Sequence, residues 1–128
     1  MKNEQREKRR MKVEERYIEC LERNVTFYIG KNAKDNFKVI DMGEPDDLWF
    51  HVKNETSCHV VALISHIPDL EKEEMKIIIE EGSLLCKENT FKVASLKNVA
   101  IDYTFLKNIK KTKILGSVLT QNLKTFVC

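Results

Sequence analysis

Asp46-Asp47-Leu48-Trp49-Phe50-His51-Val52, followed closely by Cys58-His59-Val60-Val61, is the stretch whose reading decides the fold. Leu48, Phe50 and Val52 alternate with Trp49, His51 and Lys53, the period-two pattern of a strand with two different faces. Asn54-Glu55-Thr56-Ser57 reads as a turn, and a second strand, Cys58 to Ser65, returns antiparallel beside the first. Leu48, Phe50 and Val52 account for one buried face. Trp49 and His51 then share the other, where the pattern predicts a partly exposed aromatic surface. Intermediate burial is ordinary for both residue types, so a purely structural role also fits them.

On the N-terminal side, Val25, Phe27 and Ile29 form a strand and Gly30-Lys31-Asn32 a turn. Phe37-Lys38-Val39-Ile40 reads as the second strand of that hairpin, and Met42 to Asp46 as the turn into the Trp49 strand. On the C-terminal side, Pro68-Asp69 opens a helix over about 68–88. Asp69 is its expected N-cap, and Glu71, Glu73 and Glu74 complement its positive end. Met75, Ile78, Ile79, Gly82, Leu85 and Cys86 make its buried face. A glycine there costs about 1 kcal/mol against alanine, which is tolerable where a helix must lie close on a sheet.

Residues 98–105, 114–120 and 123–127 supply the remaining strands, with Val99, Ile101, Tyr103 and Phe105 sharing a face. The predicted class is α+β: a mostly antiparallel sheet covered on one side by the 68–88 helix. Residues 3–23 hold no Gly or Pro, and Val13, Tyr17 and Leu21 fall at i, i+4 and i+8. That spacing predicts an N-terminal charged helix. It divides the chain into an extension, 1–23, and a domain, 24–128.

With 42% hydrophobic and 33% charged residues, the composition is that of an ordinary globular protein. The longest apolar runs, such as Val60 to Ile64, are too short to span a membrane. The start, Met1 to Glu7, lacks the apolar region of a secretory signal, so a cytoplasmic location is expected. Cys20, Cys58, Cys86 and Cys128 are widely separated and form no CxxC pair, which favours reduced thiols over a metal site. No cofactor is implied. The net charge of +2 conceals an asymmetry: residues 67–88 carry 3 basic and 7 acidic side chains, whereas residues 89–128 carry 7 and 1. One basic end beside an acidic helix suits a protein that meets a polyanion.

No catalytic centre stands out. Ser57 or Ser65 with His59 or His66 and Asp47 could be assembled into a triad, but no nucleophile elbow selects them. Gly30 and Gly116 are isolated, so no phosphate-cradling loop exists. Asp46-Asp47 reads as turn and capping chemistry. The chain is therefore read as a non-enzyme.

The binding residues are better defined. Lys107, Lys110, Lys111 and Lys113 fall within seven residues with no acidic neighbour, a local potential that attracts phosphate. Trp49 and His51, with His59 nearby, offer a stacking platform for single-stranded bases. Asn98, Asn108 and Thr112 are neutral donors suited to sugar and phosphate. No arginine follows Arg23, so bidentate guanine readout by the domain is not expected.

These blocks also carry a resemblance. "DDLWFHV", "HVV", "NVAIDYTFLKNIKKT" and "GSV", in this order and spacing, look like the NFACT-R domain. That domain is the predicted RNA-binding module at the C-terminal end of ribosome quality-control factors of the nuclear export mediator factor and fibronectin-binding protein-like family. It also occurs in small stand-alone proteins with a coiled-coil segment. "FYIGKN" at 27–32 matches the family's first strand and glycine turn, so the resemblance covers roughly residues 24–128. Thr56-Ser57-Cys58 stands where many members have a Pro-Gly turn. The N-terminal domain and helix-hairpin-helix region of larger relatives have no counterpart here, so tailing of stalled nascent chains is not carried over.

The resemblance implies a non-catalytic RNA-binding module, with tRNA or ribosome-associated RNA as its context. Two alternatives remain open. One is a protein-interaction adaptor using residues 1–23 to meet a partner helix or a second copy. The other is DNA binding through the same lysines, which do not by themselves separate the two nucleic acids.

Overall fold

The strand predicted at Leu48–Val52 lies near the centre of a six-stranded antiparallel sheet in the computed structural model, which describes residues 11–128. The elements in chain order are β1 (Met11–Ile18), β2 (Arg23–Gly30), α1 (Ala33–Met42), β3 (Leu48–Val52), β4 (Val60–Leu63) and α2 (Lys72–Glu88). They are followed by β5 (Ala100–Phe105), β6 (Ile109–Lys111), β7 (Val118–Thr120) and β8 (Lys124–Val127). The main sheet runs β1-β2-β4-β3-β5-β8, and β6 and β7 form a separate two-stranded hairpin. The α+β class therefore holds. Among the described residues no helix is long and apolar enough to cross a membrane.

On one face, Phe27 and Ile29 of β2, Leu48, Phe50 and Val52 of β3, and Val60 and Ala62 of β4 pack against Ile78, Leu85 and Cys86 of α2. Gly82 lets that helix approach: a Cβ there would overlap the ring of Phe50, which is fully buried. Helix α2 starts later than predicted. Its N-cap is Glu71, whose backbone N–H donates to Glu74 Oε1 at 2.8 Å, whereas Asp69 sits in the left-handed region at φ 54°. The four cysteines are free thiols, with Cys58 buried against Cys86 of α2.

Helix α2 covers one side of the sheet, as predicted, and the opposite face is covered as well. Val39 of α1, Trp49, Val61, Met11 and Leu106 form a second buried cluster on the opposite face, with Ile109 and Val118 of the β6–β7 hairpin packed against it. This explains why Val60 to Ile64 is an uninterrupted apolar run: a strand buried on both faces has no polar positions to alternate.

Two elements differ in kind. Residues 33–42, predicted to hold a strand at 37–40, form α1. The Asn32 side chain caps it by accepting from Asp35 N–H at 2.9 Å, and Asp35, Asn36 and Val39 face inward at helical spacing. Residues 11–23, predicted as the charged helix, contain β1 and a short 3₁₀ turn, Glu19–Leu21. The antiparallel register with β2 is unbroken from Met11↔Gly30 to Ile18↔Arg23. The tertiary reason is that β2 would otherwise expose a row of unpaired backbone groups. Arg16 of β1 reaches Glu88 of α2, and Lys12 donates to Asn89 just beyond it. The boundary drawn at 23/24 thus falls within a β hairpin, and the part of the predicted helix at 3–10 lies outside the described residues.

Candidate functional site

His59 stands one residue before β4 and is fixed by the backbone on both sides. Its N–H donates to Asn36 Oδ1 at 3.0 Å, and its carbonyl accepts from Gly30 N–H at 2.9 Å. A Cβ on Gly30 would overlap the same Asn36 side chain, so glycine is what allows α1 to reach this point. The imidazole Nδ1 accepts from Trp49 Nε1 at 3.1 Å. The ring must therefore carry its proton on Nε2.

His51 stacks on Trp49 with centroids 5.6 Å apart and planes 8° from parallel, while His59 sits edge-on to both rings at 5.3 and 5.0 Å. Burial pushes the His59 pKa down to about 3, with His51 adding to the shift. Burial also lowers His51, opposed by the Val52 backbone and the Asp102 carboxylate. Both rings are neutral near pH 7.

Trp49 is only 2% exposed. The stacking platform predicted from the β3 alternation is thus corrected: the indole is core on the second face, and His59 is buried beside it. His51 alone of the three is half-buried. Asp102 pairs opposite His51 in the β3–β5 ladder and is 8% exposed. Its Oδ1 accepts from Lys53 Nζ at 3.1 Å and Thr125 Oγ1 at 3.0 Å. The sequence reading passed over Asp102; its signal was a carboxylate placed mid-strand among apolar residues. His51, His59, Asp102, Ser117 and Thr120 line a pocket of about 280 Å³ between the sheet and the β6–β7 hairpin.

The hairpin that carries the lysine run forms one wall of this pocket, through Ser117, Val118 and Thr120. Directly opposed residues share a face, so Ile109 and Lys111 lie with Thr120 and Val118, while Lys110 lies with Leu119 on the outer side. Lys111 is held against α1 by an ion pair with Asp41 and by the Phe37 ring, 5.4 Å from its Nζ. Lys107 pairs with Asp46 at 3.3 Å and lies over Phe105. Among the described residues Lys110 and Lys113 have no such partner, and both are exposed.

The neutral donors divide. Thr112 Oγ1 closes the hairpin turn by donating to the carbonyl of Ser117, 3.0 Å away. Asn108 Nδ2 donates to Thr104 Oγ1 at 2.8 Å, tying the hairpin to β5. Asn98 lies beyond the other end of β5, roughly 20 Å of strand away, and is not brought to the lysines.

Asp47 and Ser57, weighed for a triad, have other partners. Asp47 accepts from the N–H groups of Glu44, Ile64 and Ser65 at 2.7 to 2.9 Å. Ser57 Oγ accepts from Val52 N–H at 3.0 Å and donates to the Cys58 carbonyl at 2.8 Å.

The family described as the NFACT protein RNA binding domain matches residues 16–123. Coiled-coil domain-containing protein 25 of Bos taurus and of Mus musculus is 34% identical over 90 residues, covering 68% of this chain and 41% of each relative. The homolog of that protein from Dictyostelium discoideum is 31% identical over 108 residues, covering 83% of this chain and 52% of its own length. The chain thus spans about half, or less, of the relatives it matches. The C-terminal part of the fibronectin/fibrinogen-binding protein from Streptococcus suis superposes with a TM-score of 0.67 at 24% identity, over 80% of this chain and 40% of that one, which is a likeness of fold. With a match from strand β1 to the residue before the last strand, the chain belongs to the NFACT protein RNA binding domain family.

Proposed function

We propose that this protein is a non-catalytic RNA-binding module that acts in the cytoplasm on tRNA or ribosome-associated RNA, with the β6–β7 hairpin as its phosphate-facing edge. One observation carries the placement. Lys110 and Lys113 are exposed and without an ion pair among the described residues, on a hairpin that also walls a polar pocket. Unpaired lysines release condensed counterions when they meet phosphate, and lysines already held by aspartates release fewer. The adaptor alternative rested on a helix at 3–23, whereas the described part of that segment is strand β1 and a 3₁₀ turn leading into β2, so the RNA reading is preferred.

The test is fluorescence anisotropy with a labelled tRNA, competed by unlabelled RNA and by duplex DNA of equal length. Tight binding that RNA competes better than DNA, and that weakens in Lys110→Ala/Lys113→Ala, agrees with the proposal. Unchanged affinity in the double variant removes the hairpin from the interface, and equal competition by DNA supports the DNA alternative.

A further inference from the structure

We infer that the pocket between the β6–β7 hairpin and the sheet holds one unstacked nucleobase of the bound strand. This rests on the RNA reading above and goes further by assigning the base a seat. Two deeply buried polar groups line the cavity with unused hydrogen-bonding capacity. Asp102 has both of its partners, Lys53 and Thr125, on Oδ1, and among the described residues Oδ2 has none. His59 uses Nδ1 for Trp49, which leaves the protonated Nε2 without a protein acceptor among the described residues.

Neither atom is among the sealed, unpartnered polar atoms of the described residues, so each opens to the space that its residue lines. A ligand that supplies these partners replaces water at atoms already oriented by the fold, and one that cannot reproduce the hydrogen bonds loses affinity. The pocket thus presents one acceptor and one neutral donor, the pairing met by the edge of any nucleobase that carries an N–H group beside a ring nitrogen or carbonyl. Lys110 and Lys113 extend from the same hairpin that contributes Ser117 and Thr120 to the wall. Because Lys110 lies on the hairpin's outer side, a strand that meets these lysines must wrap the hairpin's edge to seat a base in the cavity.

The size is selective. At about 280 Å³ the cavity falls just below the range of drug-sized ligand sites, which accommodates one planar heterocycle and not a run of stacked bases. The neutral state of both imidazoles suits it further, because an uncharged ring discriminates by hydrogen-bond geometry where a cation would attract phosphate.

The experiment compares a short single-stranded RNA with the same strand lacking its bases, on wild-type protein, on Ser117→Phe, which fills the pocket from the hairpin, and on Asp102→Asn. The Trp49 indole N–H and His51 imidazole signals are followed by NMR. The intact RNA is expected to bind roughly tenfold tighter than the abasic strand, about 1.4 kcal/mol, and to shift both signals. Ser117→Phe is expected to abolish the difference between the two strands, and Asp102→Asn to reduce it. Equal affinities for the two strands with unmoved Trp49 and His51 signals would overturn the pocket and leave the RNA reading standing. Binding of neither strand would overturn both.

Discussion

Trp49 Nε1 donates to His59 Nδ1 at 3.1 Å, joining β3 to the start of β4 on a face where both side chains are buried. The bond does three things together: it satisfies the only polar atom of the indole, fixes the imidazole tautomer, and holds a neutral ring edge-on to His51. Trp49→Phe retains much of the apolar packing but leaves Nδ1 without its donor. It is expected to cost about 1–3 kcal/mol of stability, and Trp49→Ala about 3–5 kcal/mol, measured by urea denaturation. An unaltered midpoint in Trp49→Phe would show that the bond contributes nothing net.

Stability should depend on pH through His59. Its folded pKa of about 3 lies below its ordinary 6.5, so between these values the unfolded chain binds the extra proton. Stability is therefore fully present above pH 6.5 and falls as pH drops toward 3, by roughly 3 kcal/mol between pH 7 and pH 4 from this group alone. Following the His59 ring by NMR titration checks the cause. A ring that titrates near 6.5 in the folded protein would remove it.

Asp47 should be the most sensitive carboxylate. It is almost fully buried and accepts three backbone N–H groups, joining the turn before β3 to the end of β4. Asp47→Ala leaves these donors unpaired, an expected loss of about 3–5 kcal/mol, a large share of a typical domain's total. Asp47→Asn retains one acceptor oxygen and should lose less. Thermal melts of the two variants test the order.

The β3–turn–β4 unit and helix α2 were legible because period and residue type agreed: Leu48, Phe50 and Val52 alternate, and Ile78, Gly82 and Leu85 follow a helical stripe. Two misreadings have distinct physical origins. Val13, Tyr17 and Leu21 match a helix at every fourth residue, but fourth residues also share one face of a strand, and the free edge of β2 decided the outcome. For α1, the decisive signals were local and present: Asn32 as N-cap and Asn36, Val39 and Ile40 at helical spacing. The position of Trp49 was not legible from β3 by itself, because burial of its face depends on α1 and the β6–β7 hairpin arriving from elsewhere in the chain. The lysines were found, but the aspartates that hold two of them come from residues 41 and 46, distant in sequence and joined only by folding.

Gly82→Ala should be destabilising although alanine is the better helix former. The added methyl overlaps the buried Phe50 ring, and overpacking costs about 1–3 kcal/mol against a propensity gain of about 1 kcal/mol. Combining it with Phe50→Leu should recover part of the loss, and additive losses in the double variant would place the strain elsewhere.

The pairing of lysines with aspartates makes a prediction opposite in sign to lysine removal. Asp41→Asn frees Lys111 and Asp46→Asn frees Lys107 for phosphate, while exposed ion pairs of this kind contribute only about 0–1 kcal/mol to folding. The double aspartate variant should therefore melt near the wild type and bind RNA more tightly. Its slope of log K on log salt should become steeper by about 0.7 for each phosphate newly neutralised. Lys110→Ala/Lys113→Ala should make the slope shallower by the same amount per lysine. If the aspartate variant instead binds RNA no better at low salt, with an unaltered slope, Lys107 and Lys111 face away from the phosphates and the contact surface narrows to the hairpin's outer side.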